Sequence, residues 1–293
     1  VLKNKDGQIL KPIKLNANPT YNRDSDVLPV EEKWIKDAKS EELIPVCGDE
    51  LSFYELVAAS KKSVDVALRP LMPKFYGCQQ VKKDTDQVIP HLVLQDLAHD
   101  LQNPCVMDIK IGVSQDYPKK PKPENKTRPT YATQTSLGFC LTGVRIVNPV
   151  SGQYILNLRP DACKRLTNDQ VLNALDKFSH WNENASKQIC EGIVEGLHKV
   201  RDWIVLQRNY KIRRGSVLIL YDANQVSLVP EESPPSLTSQ KAELCNNSNN
   251  HNQSLRVTVK MIDFAHVFHA HGEQDDNYLI GLDNLINFYS KTE

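Results

Sequence analysis

Apolar residues recur at helical spacing most clearly over 185–207, where Ile189, Ile193, Leu197, Val200 and Ile204 follow one another at steps of four, four, three and four. A stripe of that kind predicts a long amphipathic helix with one buried face. Thr167-Asn168-Asp169-Gln170 predicts another helix start, because Thr and Gln three apart can cap each other reciprocally; Val171, Leu172, Leu175 and Phe178 then point inward. Residues 49–66 and 279–289 read as further helices, the first with Phe53, Leu56 and Val57 on one face. Strands are expected where short apolar runs replace this spacing, at 91–97, 105–111, 137–147, 216–221 and 257–262. Residues 1–13 read as a hairpin turned at Asn4-Lys5-Asp6-Gly7, since Asp-Gly is a strong turn signal. Residues 16–48 are mixed and Pro-punctuated and predict no definite element, and 228–255, rich in Pro, Ser, Asn and Gln, read as a disordered surface insertion. The pattern as a whole is α+β, with no internal repeat.

Composition narrows this picture. The chain has 293 residues, 40% hydrophobic and 25% charged, with 36 basic residues against 36 acidic ones. That is an ordinary globular composition, enough for one large core or two lobes. A mean hydropathy of -0.46 and the lack of any long apolar run exclude a membrane-spanning helix. A net charge of zero argues against a surface built to grip nucleic acid, so an anionic partner must meet a local basic patch. Seven scattered cysteines without a C-x-x-C pair suit neither a zinc ribbon nor a disulfide framework and point to a reducing compartment, cytoplasmic or nuclear. Val1-Leu2-Lys3-Asn4-Lys5 shows no signal-peptide core, and a monomer is expected.

Three features carry candidate chemistry. On a strand, Pro104–Gly112 would put Asp108 and Lys110 on one face, with Met107, Ile109 and Ile111 on the other. A carboxylate beside an ammonium can orient a hydroxyl and neutralise a phosphoryl group, but an exposed ion pair on an edge strand has the same pattern. In Met261-Ile262-Asp263-Phe264-Ala265-His266 a hydrophobic strand delivers one Asp at its end. That is a way to hold Mg²⁺ against nucleotide phosphates, and equally a way to cap a turn. His266, His269 and His271 lack the companions of a metal cluster and read as loop residues. Pro118–Arg128 sets five basic residues against one acid, either a solvated loop or a dock for a multiply phosphorylated small molecule. No Walker loop, G-x-G-x-x-G or H-R-D sequence is present, which removes the ordinary P-loop and protein-kinase readings.

Taken together, these residues resemble the inositol polyphosphate kinase family. Its P-x-x-x-D-x-K-x-G hallmark stands in full at Pro104–Gly112, and Gly215-Ser216-Val217-Leu218 is similar to its Ser-Ser-Leu-Leu strand. Met261–His266 resembles its Ile-Asp-Phe element, and Tyr278–Ile286 its closing Gly-Leu-x-x-Leu-Ile helix. The resemblance implies a two-lobed fold related to protein kinases and ATP-grasp enzymes, with ATP in the inter-lobe cleft. The lobes would be 1–97 (hairpin, helix and hinge) and 98–293, the latter carrying a substrate-binding segment at 113–136. It further implies that Lys11 contacts ATP phosphates, that Gln95, Asp96 and Leu97 offer backbone groups to adenine, and that Asp108 serves ribose contact and catalysis. Lys110 would reach the transferred phosphoryl and the substrate, Asp263 would bind Mg²⁺, Ser216 would support the metal, and His266 would touch substrate.

Within the family the signals divide. Pro118, Pro121, Pro123 and Pro129 disfavour the short helix that multikinases and hexakisphosphate kinases carry after the hallmark. Arg128-Pro129-Thr130-Tyr131 resembles the trisphosphate 3-kinase branch, whereas Ala265-His266 and the absence of a long helical insertion do not. The expectation is a multikinase-like enzyme acting on soluble tris- and tetrakisphosphates, with a phosphoinositide lipid as a further partner and Lys126, Arg128 and Arg145 as substrate contacts. The alternatives are a hexakisphosphate kinase, a trisphosphate 3-kinase, or a module that binds inositol phosphates without turnover.

Overall fold

The computed structural model describes residues 2–13, 45–82, 88–114, 131–226 and 255–291. Lys126, Arg128 and nearly all of the proposed insertion lie outside them.

The N-terminal sheet is antiparallel. It contains β1 (Leu2–Lys3), β2 (Gln8–Pro12), β3 (Phe75–Lys82) and β4 (Val88–Gln95) in the order β1-β2-β4-β3. The hairpin forms where expected: Asn4 Oδ1 accepts the Asp6 and Gln8 amides, at 3.0 Å each. The helix expected at 49–66 is two helices, α1 (Glu50–Ala59) and α2 (Ser63–Leu68). Asp49 caps α1 by accepting the Ser52 amide at 2.8 Å. At the other end the Arg69 guanidinium donates to Val57 O and Ala58 O, which replaces the hydrogen bonds a further turn would supply. Ser60 is then released into extended backbone, and apolar spacing alone cannot show such a break.

The second sheet holds β5 (Pro104–Ile111), β6 (Phe139–Val147), β7 (Tyr154–Leu158), β9 (Ser216–Asp222) and β10 (Thr258–Ile262), ordered β10-β9-β5-β6-β7. A short ribbon of β8 (Tyr210–Ile212) and β11 (Val267–His269) flanks it. Short helices α3 (Ala132–Leu137) and α4 (Pro160–Cys163) lie against β6. The longer α5 (Asn168–His180), α6 (Glu183–Leu206) and α8 (Asp276–Ser290) supply most of the helical core, and α7 (Ala223–Val226) ends β9. The Thr167–Gln170 capping box is formed in both directions, and all five residues of the α6 stripe are buried. Residues expected to open a strand at 137 instead close α3, because Gly138 takes φ 76 and turns the chain into β6.

The lobes are joined through α1 and α2. Phe53 stacks on Phe264 at 5.2 Å, Tyr210 Oη donates to Asp65 at 2.6 Å, and Trp203 Nε1 donates to Val64 O at 2.9 Å. Below the second sheet, α8 comes so close to the end of β5 that only Gly fits at 281. A Cβ there would stand 2.2 Å from Gly138 O and 3.0 Å from Gly112 N. Gly138 O cannot withdraw, since it accepts the Gly112 amide at 2.8 Å. Gly281→Ala is therefore expected to lower Tm by about 3 °C or more through overpacking. A calorimetric scan showing no change would mean that α8 can shift at no cost.

Candidate active site

Strand register assembles the site. Lys110 on β5 pairs with Ser216 on β9, and Ser216 with Ile262 on β10, so three motifs distant in sequence form one row. Asp108 pairs with Leu218, and Leu218 with Lys260, in the row two residues back on the same face. The alternation expected of β5 holds: Met107, Ile109 and Ile111 are fully buried, while Asp108 and Lys110 take the half-buried face. Asp263 follows Ile262 directly and has φ 65, a left-handed conformation that Asp tolerates better than most residues. That kink ends β10 and brings the Asp263 carboxylate to the N-terminal sheet.

Lys11 of β2 meets it there. Its Nζ lies 2.5 Å from Asp263 Oδ1 and 2.8 Å from Glu50 Oε2, so one ammonium ties the upper sheet, α1 and the end of β10 together. Glu50 Oε1 also accepts the Phe264 amide at 3.3 Å. Burial works to lower the Lys11 pKa, but Glu50 and Asp263 together outweigh it and hold the ammonium charged. Burial pushes the Glu50 carboxyl up; Lys11 opposes this and Asp263 adds to it. Sequence reasoning missed Glu50. An acid in the first turn of a helix is explained by the helix dipole alone, and only the fold shows it facing Lys11.

Asp108 is the strained member. Its Oδ1 is buried without a hydrogen-bond partner. Burial raises its pKa and Asp263 adds to the rise, while the Thr142 and Ser216 hydroxyls and Lys110 pull it back. The folded protein thus holds this proton more tightly than the unfolded chain does. Charging Asp108 therefore costs stability, and the cost grows as pH rises from the ordinary carboxylate range toward the raised pKa. Asp108→Asn should accordingly raise Tm at pH 7 by about 2 °C, a gain that shrinks as pH falls through that range. Thermal melts across pH test this, and a variant less stable than wild type at pH 7 would refute it.

The other expected residues fall into two groups. Ser216 is fully buried between Lys110 and Ile262, and Arg213 N donates to His266 O at 2.9 Å, which ties the loop after Asp263 to the end of β8. In the stretch expected to form the hinge, the Gln95 amide donates to Lys74 O and the Asp96 amide to Gly7 O, at 2.9 and 2.8 Å. Of the three amides expected to face adenine, two are thus engaged within the protein, and among the described residues that leaves the amide of Leu97. Arg145 stands at the margin of the group: it pairs with Val106, which lies one same-face row from Asp108, about 7 Å, and four residues from Lys110 along β5, or about 13 Å.

The arrangement provides an ammonium pair for negative charge, a carboxylate presented on a kink and a buried, unsatisfied carboxylate oxygen. Asp263, Asp108 and Ser216 suit a hard cation that takes few protein ligands and completes its shell with phosphate and water. No compact cluster of three or more His, Cys, Asp or Glu exists among the described residues, so an all-protein cation cage is not what they build.

Comparisons with known proteins point to one family. A family model described as inositol polyphosphate kinase matches residues 91–290. Inositol polyphosphate multikinase beta of Arabidopsis thaliana is 29% identical over 277 residues, covering 83% of this chain and 82% of that one. Human inositol hexakisphosphate kinase 3 is 25% identical over 206 residues; the match covers 67% of this chain and 49% of that longer protein. Among solved structures, the S. cerevisiae inositol phosphate multikinase in complex with ADP and Mn²⁺ aligns with TM-score 0.60 and 21% identity, over 85% of this chain and 98% of that one. The chain belongs to the inositol polyphosphate kinase family. It is an enzyme with the two-lobed kinase fold.

Proposed function

We propose that the protein transfers the γ-phosphoryl group of ATP to a hydroxyl of a soluble inositol polyphosphate, with multikinase-like preference for tris- and tetrakisphosphates. The observation that carries the reading is the meeting of Lys11, Glu50 and Asp263 beside the Asp108–Lys110 face. Phosphoryl transfer asks a protein mainly for in-line positioning and neutralisation of charge. In this scheme Glu50 holds Lys11 against the nucleotide phosphates, and Leu97 and its neighbours seat the adenine. Lys110 faces the transferred phosphoryl and the acceptor, while Asp108 orients the ribose and the incoming hydroxyl. Asp263, supported by Ser216, would hold Mg²⁺, which would supply positive charge against the nucleotide phosphates. His266, Lys126 and Arg128 are assigned to the acceptor's phosphates, with Arg145 as an outlying contact. The multikinase preference is favoured by the similarity to the Arabidopsis relative over most of both chains. The protein is taken to work as a monomer in the cytoplasm or nucleus; the six described cysteines are free thiols, which suits a reducing compartment.

The test is incubation with Mg²⁺–ATP and inositol phosphates bearing three to six phosphates, plus a phosphoinositide in mixed micelles, with products separated by anion exchange and assigned by phosphorus NMR. Ester products from tris- and tetrakisphosphates are expected. A diphosphate resonance from the hexakisphosphate would move the protein to the pyrophosphate-forming branch. ATP binding without turnover of any acceptor would leave a binding module and sink the proposal.

A further inference from the structure

A cavity of about 380 Å³ lies between α1, the turn at Arg69–Leu71 with the start of β3, and β10. Its apolar walls are Tyr54, Val57, Met72, Pro73 and Phe75, with the Tyr54 and Phe75 rings 5.7 Å apart. That volume and lining suit a small molecule of one or two rings. None of Lys11, Glu50, Asp108, Lys110 and Asp263 lines it, so it is not the phosphate end of the site described above. Of the stretch expected to seat adenine it includes Gln95 alone. There it lies on the β3 side, since the Gln95 amide donates to Lys74 O and Gln95 Oε1 accepts the Lys74 amide.

What the polar groups around this cavity still offer is donors. Val57 O and Ala58 O are taken by the Arg69 guanidinium, Pro70 O by Lys260 Nζ, and Lys74 O and Gln95 Oε1 as above. The Tyr54 hydroxyl is buried without a hydrogen-bond partner, and burial together with the charges of Glu50 and Asp263 holds it protonated. Lys74 makes a cation–π contact 5.2 Å from the Tyr76 ring centroid and no ion pair among the described residues. No carboxylate among the described residues lines the cavity, against the three cations Arg69, Lys74 and Lys260. Burial lowers the Lys260 pKa, and the like charges of Arg256 and Lys199 lower it further. An anion seated here would offset all three effects. Apolar walls with uncompensated cations and spare donors are the complement of an anion that carries an apolar body.

We propose that this cavity is a second ligand site, separate from that of the nucleotide, for a small aromatic anion: its ring lies between Tyr54, Met72 and Phe75, and its carboxylate, sulfonate or phosphate is met by Lys260 and Lys74. The site requires nothing of the inositol phosphate acceptor, and it can be filled while nucleotide is bound.

The experiment is calorimetric titration of the full chain with anilinonaphthalene sulfonate, an aromatic sulfonate, in the absence and in the presence of saturating Mg²⁺–ADP. One saturable site is expected in both cases, and the uncharged phenylnaphthylamine, which lacks only the sulfonate, should bind about tenfold more weakly or worse. Lys260→Met keeps most of the aliphatic stem and removes the charge, and should lose about tenfold in sulfonate affinity, while Lys260→Arg stays within about threefold of wild type. The three methionines of the chain locate the probe. Met72 lines the cavity, whereas Met107 and Met261 are buried in the core of the second sheet, so in methyl-labelled methionine NMR the ring current of the probe should move the Met72 signal most. Loss of the site when ADP is bound would place the probe in the nucleotide cleft and overturn the inference. So would the lack of saturable binding below about 1 mM, equal affinity for the uncharged analogue, equal losses in the Met and Arg variants, or a Met72 signal that stays where it was.

Discussion

Lys110→Ala is expected to lower kcat by about a thousandfold or more while ATP still binds and Tm stays within about 2 °C of wild type. No described side chain hydrogen-bonds to or ion-pairs with the Lys110 ammonium, although Asp108 feels its charge. Removing it therefore breaks little in the folded state. Its aliphatic stem lies on the half-buried face of β5, and trimming it uncovers only part of a side chain. The loss falls on the step in which charge develops on the transferred phosphoryl group, where an ammonium already fixed in place is worth more than one free in solvent. Single-turnover phosphate transfer, with nucleotide affinity measured separately, divides the two effects. Turnover within about tenfold of wild type would mean that Lys110 does not face the reacting group.

Asp263→Asn should be comparably damaging to turnover, about a thousandfold, and should also raise the Mg²⁺ concentration needed for half-maximal rate. Stability should hardly change, because Asp263 acts in two opposing ways. It contributes an ion pair with Lys11, but its side chain is 34% exposed and Lys11 keeps Glu50. Such a pair is worth about 1 kcal/mol or less. Against this, Asp263 pushes the buried Asp108 and Glu50 carboxyls up, a repulsion that the variant relieves. The check is a Mg²⁺ titration of initial rate beside a thermal melt. An unshifted Mg²⁺ requirement with lost activity would assign Asp263 to holding Lys11, and the metal to other groups.

These two predictions concern residues legible in the linear sequence, because each stands in a short motif whose spacing encodes its own geometry. Period-two alternation put Asp108 and Lys110 on one face, and the apolar run before Asp263 placed it at a strand end. The α6 stripe and the Thr167 capping box were legible for the same reason: a helix or strand period is a local property, written within one or two turns. The break between α1 and α2 was not, since the apolar period runs across Ser60 while the Arg69 guanidinium, from a later turn, satisfies the carbonyls at the end of α1. Nor was the place of Arg145, which depends on how β6 registers against β5.

The sequence alone was enough to determine the family, the α+β class, the long helices and the polarity of the two β5 faces, since these follow from side-chain identity at fixed local spacing. Tertiary structure decided which of the marked residues meet. The β10-β9-β5 register brings Ser216 and Ile262 level with Lys110, and the left-handed turn at Asp263 carries that carboxylate to Lys11. Packing of α1 adds Glu50, whose sequence position distinguishes it from no other first-turn acid. The close approach of α8 to Gly112 and Gly138 links two motifs separated by more than half the chain. The physical reason is the same in each case. A hydrogen bond or ion pair between distant residues depends on the relative placement of whole elements, and that placement is set by the burial of the entire core and not by the residues that profit from it.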